Sequence, residues 1–371
     1  MPNPVSMNNS SEYKAYVITG PTSGIGRATT LEVIKHGKVV LVGRDREKLN
    51  QLQKEVERKG GHAVSVVCDL SDLASVRRAA AETIALDLPI VGLLNNAGIF
   101  PMRATKNALG CDNAFATNHI GPFVLTEALI PHLPDGANVV FVASGVEDPE
   151  RKPAKLAGFR GGRYISAQAS ARGEWEPGGS KMPGADAYAT SKQCTLATAL
   201  EFARETPRLR FNAVEPGFSP ATGLGRDANV FLRFLGKYVL SMLAPHIKYW
   251  STPKRAARVI TKTLLNESGE TGIYYDEGGR PMLGSALVRD AKFQDRVVAE
   301  TRLAVDDSKM KRRGLGPFGI SPAKSASRQQ SNSHGRPLMN GRLSWLKRTQ
   351  GRCLHNAKYN QEGGKLRCRI H

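Results

Sequence analysis

A tyrosine and a lysine four residues apart are the side chains with the clearest potential for chemistry. Tyr188 and Lys192 lie in residues 184–205, where apolar residues recur at the spacing of one buried helical stripe: Leu196, Ala199, Leu200 and Ala203. Residues four apart share a helix face, so the phenol and the ammonium can point at one place. The ammonium would lower the phenol pKa from about 10, as general acid–base catalysis requires. The pair alone also suits an ordinary core or surface position.

A glycine-rich turn between a strand and a helix is the second chemical feature. Apolar residues 15–18 precede the turn, a helical pattern continues to Ile34, and a second apolar run occupies residues 39–42. Glycines let the backbone approach a diphosphate, and the N–H groups that begin the helix favour an anion. The turn therefore predicts dinucleotide binding, with a purely structural turn as the alternative. The residues predicted to bind here are Gly20, Thr22, Ser23, Gly24, Ile25 and Gly26.

Two arginines bear on which dinucleotide is bound. Arg44 follows the second apolar run, and Arg27 follows the glycine turn. An acidic residue at the end of the second strand would bind the ribose 2′-hydroxyl of NAD, whereas an arginine accommodates the 2′-phosphate of NADP. Guanidinium groups bind phosphate through charge-assisted hydrogen bonds. We therefore expect NADP(H) in preference to NAD(H); the alternative is that both arginines are merely solvated.

Apolar runs and helical patterns alternate along most of the chain. Further strands are predicted at residues 62–67, 90–94, 138–143, 210–214 and 272–275. The alternation predicts an α/β, doubly wound Rossmann fold in which a parallel sheet of about seven strands is covered on both faces. We expect a single domain over residues 14–306, after a flexible leader of residues 1–13. Ligands of such sheets bind at the carboxyl ends of the strands.

Polar and small residues collect at those predicted strand ends. Asp69 can accept a hydrogen bond from an adenine amino group or cap the following helix, for which Ser71 is the predicted N-cap. Small residues after the fourth strand allow adenosine to pass closely, and the asparagine amides there can join neighbouring strand ends. Ser144 follows the fifth strand. The predicted cofactor contacts at these ends are Asp69, Leu70, Asn96, Ala97 and Gly98.

The charge and cysteine content limit the class of protein. Residues 308–371 contain 15 Lys or Arg and one acid, Glu362, so this tail carries +14 of the net charge of +20 and the rest only +6. Five scattered cysteines without a CxxC pair fit a reducing compartment. The leader lacks a signal-peptide apolar region, and no run of about 18 apolar residues predicts a spanning helix. We expect a cytoplasmic protein.

Six features in sequence order resemble the short-chain dehydrogenase/reductase family over roughly residues 14–276. They are Thr19-Gly20-x-x-x-Gly24-Ile25-Gly26, Asn95-Asn96-Ala97-Gly98, Asn118, Ser144, Tyr188-x-x-x-Lys192 and Pro216-Gly217. The segments Thr117-Asn118-His119-Ile120-Gly121 and Gly43-Arg44-Asp45 further resemble the branch of retinol dehydrogenases and protochlorophyllide reductases. Members of that branch are mostly NADP-linked.

The resemblance implies hydride transfer between a nicotinamide and a carbonyl or a primary or secondary alcohol. It implies that Tyr188 exchanges the hydroxyl proton, Lys192 binds the nicotinamide ribose, and Ser144 binds the substrate oxygen. It further implies that Asn118 holds a water on the proton path, and that the nicotinamide lies beside two residues after the sixth strand, Pro216 and Gly217. A homo-oligomer is also typical of the family. His119, which points away from Asn118, is interpreted as a packing or capping residue.

Two segments depart from the usual family pattern. Residues 145–187 form a long, turn-rich insertion between Ser144 and Tyr188 that could shape a substrate pocket, an oligomer contact or nothing. Residues 218–250, the usual position of the substrate lid, include a mostly apolar stretch, 229–243. That stretch favours a lipophilic substrate, with a buried helix or a peripheral membrane contact as alternatives.

The basic tail, residues 307–371, is predicted to be disordered. Nucleic-acid binding by this tail is not favoured. No metal site is expected in it, because its cysteines and histidines do not have the spacing of known metal ligands: Cys353, His355, Cys368 and His371. The main hypothesis is an NADP(H)-dependent oxidoreductase for a lipophilic carbonyl or alcohol. Its rival is a catalytically silent NADP(H)-binding regulatory protein recruited to nucleic acid through the tail.

Overall fold

A computed structural model of the chain describes residues 14–218, 251–266 and 268–306. The predicted leader, nearly all of the predicted lid and the basic tail lie outside the described residues. The described residues belong to one compact unit. Among them no helix is both long enough and apolar enough to cross a membrane.

One sheet of eight strands organises the fold, in the order β3-β2-β1-β4-β5-β6-β7-β8. The first seven strands in this order are parallel to their neighbours, and only β8 runs antiparallel, against β7. The doubly wound parallel sheet is confirmed, with one short antiparallel edge strand added. The strands are β1 Ala15–Thr19, β2 Lys38–Gly43, β3 Ala63–Val67, β4 Ile90–Asn95, β5 Asn138–Val142, β6 Arg210–Val214, β7 Tyr274–Tyr275 and β8 Pro281–Met282.

Helices cover both faces of this sheet, which explains why the central strands are apolar on both sides. One apolar cluster includes Phe123, Leu196 and Val297, and the other includes Val33, Leu49 and Ile260. The α-helices are α1 Gly24–Val33, α2 Arg46–Arg58, α3 Leu73–Ala85, α4 Asn113–Phe115, α5 Gly121–Leu129, α6 Lys152–Leu156, α7 Ala167–Arg172, α8 Ala185–Glu205, α9 Pro253–Leu265 and α10 Ala291–Val305.

The start of α3 corrects one prediction. Asp72, and not Ser71, is the N-cap, and its side chain accepts from the backbone N–H of Ala74 at 3.0 Å. The Ser71 hydroxyl instead donates to Asp69 Oδ1 at 2.7 Å. Both residues are good N-caps, so the sequence alone could not decide which of two neighbours begins the helix.

His119 packs as expected. Its buried ring lies between Phe115 and Phe123, with centroids 5.1 and 5.9 Å away, and Nε2 is 3.0 Å from the Thr301 hydroxyl. Burial lowers the pKa of His119 to about 3. The interpretation of His119 as a packing residue is therefore confirmed.

Candidate active site

The glycine turn after β1 forms a tight cradle. A Cβ at Gly26 would lie 2.2 Å from the Gly20 carbonyl oxygen and 2.4 Å from Asn96 Nδ2. Gly20 and Gly24 have positive φ angles of 64° and 54°, which favour glycine. Ser23, the N-cap of α1, has extended backbone and makes no side-chain cap bond. The first N–H groups of α1 are thus left for another acceptor, so the cradle fits a diphosphate.

Thr19 joins this cradle to the neighbouring strand end. Its hydroxyl donates to the Leu94 carbonyl at 3.2 Å and accepts from the N–H groups of Asn96 and Ala97, each at 3.0 Å. Asn96 Nδ2 donates back to the Thr19 carbonyl at 2.9 Å. The predicted joining of strand ends by an asparagine amide is confirmed, and it places the segment after β4 beside the glycine turn.

The two arginines predicted to bind a 2′-phosphate differ in their surroundings. Arg27 donates to both carboxylate oxygens of Glu55 on α2, at 2.6 Å each. Arg44 directly follows β2, is exposed, and makes no ion pair with another residue in the described ranges. Arg27 is therefore engaged within the protein, and Arg44 is the arginine whose guanidinium remains available at the sheet edge.

The remaining predicted cofactor contacts lie at the same edge but differ in exposure. Asp69 Oδ1 accepts from the N–H and hydroxyl of Ser71, at 2.9 and 2.7 Å, and so shapes the turn after β3. Leu70 is buried, and its carbonyl oxygen would lie 2.2 Å from a Cβ at Gly121. Ile25 is also buried in the core. Thr22 and Ser23 lie within the glycine turn, and Ser23 is exposed.

The central pair of side chains is brought together with Ser144. Tyr188 and Lys192 lie on α8, and Lys192 Nζ is 5.8 Å from the centroid of the Tyr188 ring. The Ser144 side chain, which follows β5, lies close enough to the Tyr188 phenol to lower its pKa. Three residues that are distant in sequence therefore meet at the carboxyl edge of the sheet.

The expected lowering of the phenol pKa is wrong for this structure. Burial raises the pKa of Tyr188 to about 12; the Ser144 side chain lowers that pKa, and repulsion from Glu215 raises it further. Burial lowers the pKa of Lys192 to about 8, and its Nζ donates to the Val142 carbonyl at 2.6 Å. The desolvation of both groups outweighs the attraction on which the prediction was based.

Asn118 lies in a π-helical turn, Ala116–Ile120, between α4 and α5. Its side-chain oxygen accepts from the Ile99 N–H at 2.8 Å, and its Nδ2 donates to the Ile99 carbonyl at 2.9 Å and to the Ser191 hydroxyl at 3.0 Å. A Cβ at Gly98 would lie 3.4 Å from Asn118 Oδ1 and 3.7 Å from Lys192 Nζ. Asn118 therefore ties the segment after β4 to α8, next to the lysine.

A glutamate that the sequence analysis missed connects two strand ends. Glu215 follows β6 and directly precedes Pro216 and Gly217. Its carboxylate pairs with Arg151 at 2.5 Å, and the backbone of Gly145, the neighbour of Ser144, lies close enough to lower its pKa. Burial raises the pKa of Glu215 to about 7. An acidic residue at a strand end, directly before Pro-Gly, could have indicated a residue of the site. Its partners could not be predicted, because they lie in the insertion.

A second buried glutamate, Glu147, follows the same serine. Its carboxylate accepts from the N–H of Ser285 at 2.8 Å and from the Ser285 hydroxyl at 2.7 Å. Burial raises the pKa of Glu147 to about 7, with further repulsion from Asp148 and Glu215. The residues after β8 are thereby bound to the turn that carries Ser144.

Glu147 should make the stability of the protein depend on pH. A carboxyl whose folded pKa is raised from 4.5 to about 7 stabilises the fold below pH 4.5 and loses that contribution as pH rises through 7. We expect the unfolding free energy of the parent, relative to Glu147→Gln, to fall by on the order of 1–3 kcal/mol between pH 5 and 8. Urea unfolding of both proteins at several pH values measures this difference. A difference in unfolding free energy that is the same at pH 5 and pH 8 would contradict the prediction.

Comparison with known proteins identifies the class of protein. The family model for short chain dehydrogenases matches residues 14–152. A short-chain dehydrogenase/reductase from Armillaria gallica is 33% identical over 283 residues, covering 74% of this chain and 87% of that protein. The chain therefore belongs to the short-chain dehydrogenase/reductase family of oxidoreductases.

Two further proteins are similar to this chain. A protochlorophyllide reductase from Avena sativa is 29% identical over 275 residues, covering 68% of this chain and 87% of that protein, in keeping with the branch suggested by the sequence. The crystal structure of a short chain dehydrogenase from Burkholderia cenocepacia in complex with NADP shares the fold, with a TM-score of 0.54 and 20% identity over 73% of this chain and 98% of that one.

Proposed function

We propose that the protein is an NADP(H)-dependent oxidoreductase that interconverts a carbonyl and an alcohol on a lipophilic small molecule. The observation that carries this proposal is the meeting of Tyr188, Ser144 and Lys192 at the sheet edge that also holds the glycine cradle. Oxygen binding, proton transfer and cofactor binding thus have residues at one place.

The residues divide the chemistry of reduction among them. A bound NADPH supplies the hydride. The Ser144 hydroxyl binds the substrate oxygen and orients the carbonyl. Tyr188, whose pKa is raised to about 12, holds its proton at neutral pH and donates it to that oxygen. Lys192 binds the nicotinamide ribose. Its positive charge also stabilises the phenolate that Tyr188 becomes when it gives its proton to the substrate oxygen.

Arg44 and one protein of the same fold support NADP(H) as the preferred cofactor. Arg44 has no acidic partner among the described residues and stands at the end of β2, where a dinucleotide places its adenosine ribose. The Burkholderia protein of the same fold binds NADP. Both observations support NADP(H) as the cofactor.

Exposed apolar side chains support a lipophilic substrate. Phe218, directly after Gly217, is 58% exposed, and Met102, shortly after Gly98, is 40% exposed. Both follow segments that the family resemblance places beside the cofactor. Exposed large apolar side chains that follow such segments favour an apolar ligand.

The proposal is tested by following NADPH absorbance with a panel of retinoid, steroid, quinone and aliphatic carbonyls, with NADH measured alongside. We expect at least one lipophilic carbonyl to be reduced, and NADPH to be used in preference to NADH. Tight binding of NADPH without turnover of any member would instead favour a catalytically silent protein.

Arg44→Ala should separate the two cofactors. Loss of a charge-assisted contact with a 2′-phosphate is expected to raise the Kd for NADPH about 10-fold, the low end for a hydrogen bond to a charged group. The Kd for NADH should stay unchanged. The matched control is Arg27→Ala, which loses the pairing with Glu55 and should change neither Kd by more than about twofold. Titration of NADPH and NADH fluorescence measures all four values, and equal losses for both cofactors would contradict the assignment.

A further inference from the structure

The insertion between Ser144 and Tyr188 packs closely along α8. The Gly162 N–H donates to the Glu147 carbonyl at 2.9 Å, and the Arg163 N–H donates to the Thr190 hydroxyl at 2.8 Å. A Cβ at Gly162 would lie 2.4 Å from the side chain of Gln193 on α8. The middle of the insertion is thus fixed against the helix that carries Tyr188 and Lys192.

These contacts hold one aromatic residue, Phe159, beside the site. Its N–H donates to the Ala154 carbonyl at 3.0 Å, after a turn at Gly158 with a φ of 93°. The Gly158 carbonyl accepts from the Ser180 hydroxyl at 2.7 Å, and the Ser180 N–H donates to Asp186 Oδ1 at 2.9 Å. Asp186 is two residues before Tyr188, so Phe159 is positioned by the first turn of α8.

A second aromatic residue, Phe100, reaches the same place from β4. The preceding residue, Ile99, bonds Asn118 through both its N–H and its carbonyl. The following carbonyl, that of Pro101, would lie 2.0 Å from a Cβ at Gly184, just before α8. The backbone on each side of Phe100 is therefore fixed.

The two rings and that of Tyr188 form one aromatic cluster. The Phe100 centroid is 5.0 Å from that of Tyr188 and 5.7 Å from that of Phe159, and Phe159 and Tyr188 are 6.4 Å apart. These distances lie in the range of attractive ring pairs. All three side chains are only partly buried, so the cluster keeps aromatic surface that a ligand can cover.

We infer that Phe100 and Phe159 form an aromatic wall that makes planar aromatic ketones the substrates of this site. The inference rests on the proposed function, because it places the substrate carbonyl beside the Tyr188 hydroxyl. That hydroxyl belongs to a ring that lies 5.0 and 6.4 Å from the two phenylalanine rings, so these rings border the space next to a carbonyl bound at the hydroxyl. An aromatic ring in that skeleton gains an edge or offset contact that a saturated ring lacks.

A matched pair of ketones tests the inference. 2-Tetralone and 2-decalone share a bicyclic skeleton and an unconjugated carbonyl, and they differ in one aromatic ring. We expect the complex of the protein with NADP⁺ to bind 2-tetralone about 2- to 12-fold more tightly than 2-decalone, the range for one aromatic pair. Calorimetric titration measures the ratio without turnover. A ratio of about one in the parent protein would overturn the inference.

Four variants test whether Phe100 and Phe159 cause the tighter binding of 2-tetralone relative to 2-decalone. Phe159→Leu and Phe100→Leu should each lower the ratio at least about twofold, whereas Phe159→Tyr should retain it. Leu156→Ala is the matched control, since this residue of the insertion is 89% exposed but not aromatic; it should leave the ratio unchanged. A ratio that survives both leucine variants, or falls equally in Leu156→Ala, would overturn the inference. NADP⁺ binding and a thermal melt confirm that each variant is folded.

The outcome is separate from that of the proposed function. If no carbonyl is reduced but the binding ratio follows Phe100 and Phe159, the wall stands and the proposed reaction fails. If carbonyls are reduced but the two ketones bind equally, the reaction stands and the aromatic wall fails.

Discussion

Tyr188→Phe is expected to lower kcat for carbonyl reduction by about 10²- to 10⁴-fold, the usual contribution of a positioned general acid. The Kd for NADPH should change by less than about twofold. Phenylalanine keeps the ring that packs against Phe100 at 5.0 Å and removes only the hydroxyl beside Ser144. The predicted loss is therefore one of proton donation, and steady-state kinetics with a reducible carbonyl from the panel measures it.

A second tyrosine supplies the control for this substitution. The Tyr275 hydroxyl, on β7, donates to Glu270 Oε2 at 2.8 Å. Tyr275→Phe should leave kcat within about twofold. Equal rates for Tyr188→Phe and the parent protein would refute the role of Tyr188. Equal loss in both variants would indicate a general effect of removing a phenol.

The sequence was sufficient for features that depend on local spacing. The four-residue step from Tyr188 to Lys192 fixes one helix face, and the turn at Gly20–Gly26 requires glycine for steric reasons that any strand–turn–helix unit shares. The alternation of apolar runs also predicted the parallel sheet. Order along the chain then brought Ser144 to the edge where the tyrosine lies, because carboxyl ends of parallel strands share one edge.

The features that sequence reasoning missed depend on which distant groups meet. Arg27 pairs with Glu55 on the next helix, so its availability to a phosphate could not be judged from its position after the glycine turn. The pKa of Tyr188 depends on how many protein atoms surround a side chain that is still partly exposed, and the resulting desolvation outweighs the charge of Lys192. Local patterns carry no information on either quantity.

The position of the insertion also could not be predicted from local patterns. Its turn-rich composition gave no helical or strand period from which to orient a side chain. In the structure, Gly162 and Gly179 allow close contact with α8, since a Cβ at Gly162 would lie 2.4 Å from the Gln193 side chain and one at Gly179 would lie 2.0 Å from Asp186 Oδ2. Gly158 contributes a turn with a positive φ of 93°. The glycine-rich composition of the insertion therefore permits a fixed position for Phe159 beside Tyr188.

Gly26→Ala is expected to impair both folding and cofactor binding. The new Cβ would lie 2.2 Å from the Gly20 carbonyl oxygen, a backbone atom, and 2.4 Å from Asn96 Nδ2. Relief requires movement of the turn, and overpacking of this kind typically costs about 1–3 kcal/mol. The unfolding free energy should fall by about that amount, as urea titration would show.

The same movement should weaken NADPH binding. The displaced atoms are those that hold the cradle and join it to the strand end at Thr19, so a cost of about 1–3 kcal/mol in restoring the cradle corresponds to a 5- to 150-fold higher Kd. The control is Gly278→Ala, whose Cβ would meet only the ends of flexible side chains, Asp276 Oδ1 at 3.2 Å and the Arg280 guanidinium at 3.7 Å; it should leave the Kd unchanged. A Gly26→Ala protein with lowered stability but the parental Kd would show that the glycine turn is structural only. Parental values of both quantities would contradict the prediction altogether.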